Sequence, residues 1–384
     1  MNRSFGRLVV ALLLILFAVD FSLRFLPPER FTFRAWDAMI LGRGRLGIFS
    51  PNRTYFNPRA SGDLAHLGNF PDLRQFRAES FTTDGCGNRN KPDIFEGRPA
   101  DLMLLGTSFA VGSGVDDEHN LSSQIQQLSG LKVYNGAGPS VDQSGWVLAL
   151  ARKLKMDQTG HGTIILEYLE RLSVRKSLIP DQSDWLGDSL CNPKPLWATR
   201  SGWSTIFKNF LTLSPLEIYS RNLLQRLQND VILPNPYKVG VVRETLLDGT
   251  PILFLPAEVE SAYEFRDEDG PIKYWAQLSD KLKEAHLKFV VLLVPNKYTI
   301  YYSLLHEPAR GEPQNRHYLS DLESRLRQEG IPVVNLTDVY MQAATSEFKR
   351  GRYLYWLDDT HWSATGIEIA AKAILKETNG SNPH

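Results

Sequence analysis

The feature that most restricts the fold is a recurring alternation of short, wholly apolar runs with stretches of helical spacing. Leu102–Leu105 is such a run and closes on Gly106, and Leu121, Ile125 and Leu128 follow at helical intervals. A second run at Val133–Asn135 is followed by a helical pattern over 146–155 and a third run over 163–168. Runs of four to eight apolar residues without polar alternation are expected of strands buried on both faces. Residues 172–270 interrupt the series with Pro180, Pro193, Pro195, Pro215, Pro234, Pro236, Pro251 and Pro256 among Trp and Phe, a composition that reads as an insertion. The alternation then resumes: helix 275–285, strand 289–294, helix 318–328, strand 333–336 and a short strand 353–356. In the last helix Thr365 and Glu368 stand at capping-box spacing, and Ile367, Ala370, Ala371, Ile374 and Leu375 form one apolar stripe. Strands alternating with helices predict an α/β fold of three layers, a parallel sheet with helices on both faces, whose ligand sites lie beyond the carboxyl ends of the strands.

Arg3 and Arg7 precede an apolar run from Leu8 that reaches Leu26 across Asp20, Ser22 and Arg24. At about 1.5 Å per residue this run nearly spans a hydrocarbon core of roughly 30 Å. No A-x-A pattern of small residues follows, so an uncleaved signal anchor over 1–26 is preferred to a cleaved signal peptide, or to an apolar helix docked on a cytosolic domain. Residues 27–100, rich in Pro, Gly, Arg and aromatics, read as a loop-rich juxtamembrane segment. The main domain is expected over 101–376, and 377–384 as a frayed tail. Lys plus Arg and Asp plus Glu each number 43, the net charge is zero, and no block of like charge occurs, which argues against a nucleic-acid partner bound by neutralising its phosphates. Cys86 and Cys191 lie in no C-x-x-C or Cys/His cluster, so a disulfide and two buried thiols both remain open, and no metal site is expected.

The loop after the first strand reads Gly106-Thr107-Ser108-Phe109, then Gly112-Ser113-Gly114. A serine directly after a buried strand lies at the mouth of such a site, and its hydroxyl needs a base to act as a nucleophile. Alone, the segment is equally ordinary turn chemistry. The base is sought in Asp358-Asp359-Thr360-His361-Trp362, just before the final helix, where an acid stands close enough to His361 to orient its imidazole. Asn135-Gly136-Ala137-Gly138 offers small residues whose backbone N–H groups could approach an oxyanion, or a plain glycine turn.

These stretches resemble the SGNH (GDSL-type) hydrolase superfamily, and within it the alginate-acetylation (AlgX/AlgJ-like) branch of SGNH O-acetyltransferases. Gly106-Thr107-Ser108-Phe109 is similar to the nucleophile block and Asp359-Thr360-His361-Trp362 to the acid-x-His-Trp block. Leu166-Glu167-Tyr168-Leu169-Glu170-Arg171 resembles a W-E-x-x-E-R segment, and Val294-Pro295-Asn296-Lys297-Tyr298 a V-P-x-K segment. The order differs from the alginate enzymes, since here the serine comes first and the histidine last, as in ordinary GDSL hydrolases. The superfamily's G-x-N-D block is absent.

The resemblance implies a flavodoxin-like SGNH domain with Ser108 as nucleophile and His361 as base. Asp359, at the branch's spacing, orients the histidine, with Asp358, at the general superfamily spacing, as its alternative. Oxyanion or substrate contacts are expected from Gly136, Ala137, Asn135, Arg171 and Trp362. It further implies acetyl transfer through an acetyl-serine to hydroxyls of an exported polysaccharide, no cofactor, a membrane-bound O-acyltransferase-type partner that exports the acetyl group, and a single-pass inner-membrane protein with its catalytic domain in the periplasm. The alternatives are an acetyl esterase of the same fold and a non-catalytic scaffold or carbohydrate-binding subunit. For the latter, Trp185, Trp197 and Trp203 would stack on sugars.

Overall fold

The computed structural model describes residues 3–23, 51–138, 147–160, 162–172, 240–264 and 269–380, with isolated positions 25, 49, 191, 216, 220, 224 and 227. Nine strands occur among them: β1 Thr54–Ala60, β2 Arg77–Thr82, β3 Leu102–Leu105, β4 Val133–Asn135, β5 Thr163–Leu169, β6 Val242–Thr245, β7 Pro251–Phe254, β8 Lys288–Val294 and β9 Val333–Asn335. The apolar runs form one parallel sheet in the order β4-β3-β5-β8-β9. β1 with β2 and β6 with β7 form two antiparallel pairs outside it.

The described helices are α1 Arg3–Leu23, α2 Asp63–Leu67, α3 Ser108–Val111, α4 Leu121–Ser129, α5 Val147–Lys153, α6 Pro256–Ser261, α7 Asp269–Glu284, α8 Lys297–Tyr301, α9 Tyr318–Gln328, α10 Thr337–Phe348 and α11 Ala364–Gly380. Successive strand side chains point to opposite faces, and both faces are covered. Leu102, Leu104, Val290, Leu292 and Val294 pack with Leu121 and Ile125 of α4 and with Ile367, Ala370 and Ile374 of α11. Met103, Leu105, Phe289, Val291 and Leu293 pack with Leu150 of α5, Trp275 and Leu282 of α7, and Leu322 and Leu326 of α9. This double burial is why the strands carry no polar alternation; each Leu, Ile or Val removed from water stabilises by roughly 1.5–3 kcal/mol.

Three local expectations are corrected. Helix α11 starts at Ala364, with Ser363 before it accepting the Gly366 N–H, so Thr365 lies inside the first turn and forms no capping box with Glu368. Residues 353–356 form no strand; a single antiparallel bridge, Tyr355 to Trp362, closes a tight turn there. Helix α10 was not anticipated: its buried positions, Thr337, Tyr340, Ala344 and Glu347, follow helical spacing, but half are polar and the apolar period is weak.

The N-terminal run is helical from Arg3 to Leu23, and its 19-residue portion Phe5–Leu23 is long and apolar enough to cross a membrane by length and composition. Most of the proline-rich insertion, including Trp185, Trp197 and Trp203, lies outside the described residues. Its last part supplies β6, β7 and α6. Cys86 and Cys191 form a disulfide across a sequence separation of 105.

Candidate active site

The carboxyl end of β3 turns at Gly106, whose φ of +151° is open to glycine and rarely to other residues. A Cβ there would lie 2.3 Å from Glu167 Oε2 and 2.7 Å from Glu167 Cβ. Glu167, on β5, needs that approach, because its Oε2 accepts the N–H groups of Thr107 at 2.7 Å and Ala110 at 3.3 Å, and Thr107 Oγ1 donates to its Oε1 at 3.0 Å. Burial raises the Glu167 carboxyl above its ordinary range, and the Thr107 bonds oppose that shift. Thr107 in turn caps α3 by accepting the Phe109 N–H at 3.3 Å. Ser108, the first residue of that short helix, is thus held at the sheet's carboxyl edge. Its own N–H makes no hydrogen bond to any described residue.

His361 arrives from the turn closed by the Tyr355–Trp362 bridge, where Trp356 N–H donates to His361 O at 3.1 Å. Its Nε2 lies 2.8 Å from Ser108 Oγ and its Nδ1 2.7 Å from Asp359 Oδ1. Serine, histidine and acid are therefore joined in one hydrogen-bonded line although 253 positions separate Ser108 from His361. Asp359 is buried, which works to raise its carboxyl, but His361 and then Arg77 outweigh burial and hold it well below the usual carboxylate range. The choice between the two acids falls to Asp359. Asp358 turns away from the ring: its carboxylate accepts the N–H groups of Gly62 at 2.7 Å and Gln75 at 2.8 Å and pairs with Arg77 at 3.0 Å.

Three residues without an expected role complete this turn. Arg77 on β2 donates to Asp359 Oδ2 at 2.8 Å and lies 4.3 Å above the Trp356 ring. Asp63 on α2 accepts the Thr360 N–H at 2.8 Å and its hydroxyl at 3.0 Å. Lys297, fully buried, donates from Nζ to the carbonyls of Leu253 at 2.6 Å, Trp356 at 2.7 Å, Asp359 at 3.0 Å and Leu357 at 3.2 Å. Burial brings Lys297 down to about 8, against the pull of Glu258 and of Asp358, Asp359 and Asp63.

The expected oxyanion residues divide. Gly136 N–H donates to Leu104 O of β3 at 2.8 Å, and Ala137 N–H to Asn135 Oδ1 at 3.0 Å, so both are already engaged; the structure corrects them to turn residues. Asn135 Nδ2 holds Ala110 O at 2.8 Å and Trp362 Nε1 holds Phe109 O at 3.2 Å, so each braces the nucleophile helix from behind. Arg171 does approach the site. Its guanidinium lies 5.1 Å from the Phe109 ring centroid, which itself lies 4.8 Å from the His361 ring, and Nη1 is tied at 3.0 Å to Glu258 on α6. Burial pushes Glu258 up to about 7 against the opposing Arg171 and Lys297 charges.

Lone-pair atoms of Asp63, Asp359 and His361 lie within 4.8 Å of one another, a spacing that distance alone would allow a cation. They are already engaged, Asp359 with His361 and Arg77, Asp63 with Thr360, so the cluster works as a clamp on the imidazole.

Residues 253–383 match the family model of the SGNH hydrolase-like domain, acetyltransferase AlgX. Over that span the chain is similar to an AlgX-type SGNH hydrolase-like domain. The matched span holds Glu258, Lys297 and the Asp359–His361 turn, while Ser108 and Glu167 lie before it. The fold, the triad and the family match over 253–383 support an acetyl-handling enzyme of the hydrolase fold. No curated protein matches the chain. Two solved structures are similar at low identity. One is an acetyl xylan esterase, AlAXEase, at 9% identity over 72% of this chain and 98% of that one, with a TM-score of 0.35. The other is LAE5, an alpha/beta hydrolase enzyme from the metagenome of Lake Arreo, Spain, at 10% identity over 76% and 100%, with a TM-score of 0.33. Neither likeness bears on the chemistry.

The two family segments that sequence reasoning left without a role explain each other. Glu167 backs the nucleophile turn, and Glu170 accepts the Asn296 N–H at 2.7 Å and the Thr299 hydroxyl at 2.8 Å, anchoring the start of α8 and with it Lys297. Nothing in the sequence pointed to Asp63 or Arg77, which reach the turn from 296 and 282 positions away.

Proposed function

We propose that the protein is a serine O-acetyltransferase, anchored by α1 with its catalytic domain on the periplasmic side of the inner membrane, that moves an acetyl group through Ser108 to hydroxyls of an exported polysaccharide. The observation that carries the chemistry is the continuous Ser108–His361–Asp359 hydrogen-bonded line. His361 Nε2 takes the Ser108 proton as Oγ attacks the acetyl carbonyl. The carbonyl oxygen gains negative charge, and the Ser108 N–H is the donor at hand to receive it. When the intermediate collapses, the bond to the donor's leaving group breaks and His361 returns the proton to that group, leaving acetyl-serine. A sugar hydroxyl then gives its proton to His361 and attacks the acetyl-serine, and Ser108 regains its proton as the acetylated sugar departs.

The AlgX-type domain and the export reading of α1 favour a sugar acceptor over water. Acetyl-CoA is confined to the cytoplasm, so the reading calls for a membrane-bound O-acyltransferase-type partner to deliver the acetyl group. The test is incubation of the full chain with a chromogenic acetyl ester, with and without oligosaccharide, followed by mass spectrometry of the sugar. Acetylated sugar supports transfer, whereas acetate alone under both conditions assigns an esterase. Ser108→Ala is expected to lose at least ~10⁴-fold in rate while keeping its fold. Acetyl transfer that survives in that variant overturns the mechanism.

A further inference from the structure

We propose that His361 is served by two carboxylates: the bonded Asp359, and Asp63, a positioning residue that clamps the histidine turn and shares in stabilising the imidazolium. This rests on the acyl-transfer reading, because only a histidine that becomes charged during turnover profits from a second acid.

Asp63 Oδ2 lies 4.0 Å from His361 Nδ1, and both side chains are buried. Its carboxylate grips Thr360, between Asp359 and His361, through the backbone N–H and the hydroxyl. Asp63 N–H donates to Asp359 Oδ2 at 3.2 Å, so the two acids are also fixed to each other. The approach of α2 is built in. Gly62 N–H donates to Asp358 Oδ2 and Ala65 N–H to Asp358 O, at 2.7 and 3.0 Å, and a Cβ on Gly62 would lie 2.1 Å from Asp358 O. Only a glycine lets the helix settle this close to the turn. A charge 4 Å from the ring in a buried site is screened far less than in water, so it can act on the ring without a direct bond.

The test uses the full-length protein, acetyl-ester turnover, and labelling of Ser108 by a serine-directed phosphonate. Asp63→Asn keeps an acceptor for the Thr360 N–H and removes the charge. It is expected to lower kcat roughly tenfold with KM unchanged, and to cost a larger factor in an Asp359→Ala background, where Asp63 is the acid left at Nδ1. Asp63→Glu should restore part of the loss. Thr360→Val removes the hydroxyl arm while keeping the charge, and should stay within a fewfold of the parent; it also keeps the idea testable should Asp63→Asn not fold. Wild-type kcat for Asp63→Asn in both backgrounds overturns the proposal while Ser108 labelling leaves acyl transfer standing. A tenfold loss in Thr360→Val with none in Asp63→Asn also overturns it. Absence of labelling in the wild type overturns both.

Discussion

Lys297→Met is the substitution from which the buried network is best judged. The ammonium has three protons and lies within 2.6–3.2 Å of four carbonyl oxygens, from Leu253, Trp356, Asp359 and Leu357. Replacing a whole buried ion pair by apolar groups is often neutral, because every charge leaves together. Here the acceptors are backbone carbonyls and cannot leave. Three of them lie in the turn that carries the triad acid, and each carbonyl stranded without a donor costs about 1–3 kcal/mol. Methionine fills most of the lysine's volume and avoids the desolvation of an ammonium, which offsets part of the loss. Removal of one partner from a buried charged network typically leaves a net destabilisation of about 3–5 kcal/mol. Urea titration of the detergent-solubilised chain should show the midpoint falling at constant m-value. The rate should fall further than the folded fraction does, because the lost bonds hold the Asp359 end of the triad. A variant within 1 kcal/mol of wild type, or one that loses stability with unchanged kcat, would show that the lysine does not hold the turn.

Gly106→Ala forces a non-glycine residue into a φ of +151° and a Cβ onto Glu167, so a loss on the order of 3 kcal/mol and a steep fall in turnover are expected, read by thermal melts and ester assay. Reduction of Cys86–Cys191 reopens a loop spanning 105 positions. In the chain-entropy model this costs roughly 4–5 kcal/mol, so melts with and without reductant should differ by several degrees, and equal melts would contradict it. Burial pushes Glu258 up to about 7 in the folded chain from its ordinary 4.5, so between those pH values the folded chain keeps a proton that the unfolded chain has released. Its contribution therefore makes stability fall as pH rises through that window and stay level above it, by on the order of 3 kcal/mol in all. Glu258→Gln should flatten the melting temperature between pH 5 and pH 8, and an unchanged slope would refute the assignment.

Strands buried on both faces announce themselves, because such a run has to be apolar at every position. That is why β3, β5 and β8 were legible while α10, which buries Thr337 and Glu347, was not. The triad was legible for a related reason: Ser108 follows a buried strand, and His361 carries its acid two positions away, so each half has a local signature. Two of the residues that hold the triad have none. Asp63 and Arg77 sit in a segment of weak periodicity, and their partners lie 281 to 297 positions off, a distance at which one sequence gives no pairing signal. Gly136 misled for the opposite reason. Small residues permit close backbone approach, but the N–H groups that approach allows were taken by Leu104 O and Asn135 Oδ1.

The density of buried charge around the site has a common destination. Glu167 ends on the N–H groups of Thr107 and Ala110, Glu170 on that of Asn296, Asp358 on those of Gly62 and Gln75, and Lys297 on four carbonyls. Each of these groups bonds to the backbone of a turn. Had these charges served chiefly to stabilise the fold, apolar packing of equal volume would do as well. What apolar packing cannot do is fix the direction of a peptide group, and the triad depends on three turns meeting within hydrogen-bond distance before substrate arrives. The arrangement carries a consequence for substitution. Replacing Glu170 by Gln leaves the sheet and both cores intact, yet it weakens the bond that orients the start of α8 and, through Lys297, the Asp359 carbonyl. Turnover should therefore respond more strongly than the unfolding midpoint, and parallel losses in the two would mean that the buried ions hold up the fold in general and not the triad in particular.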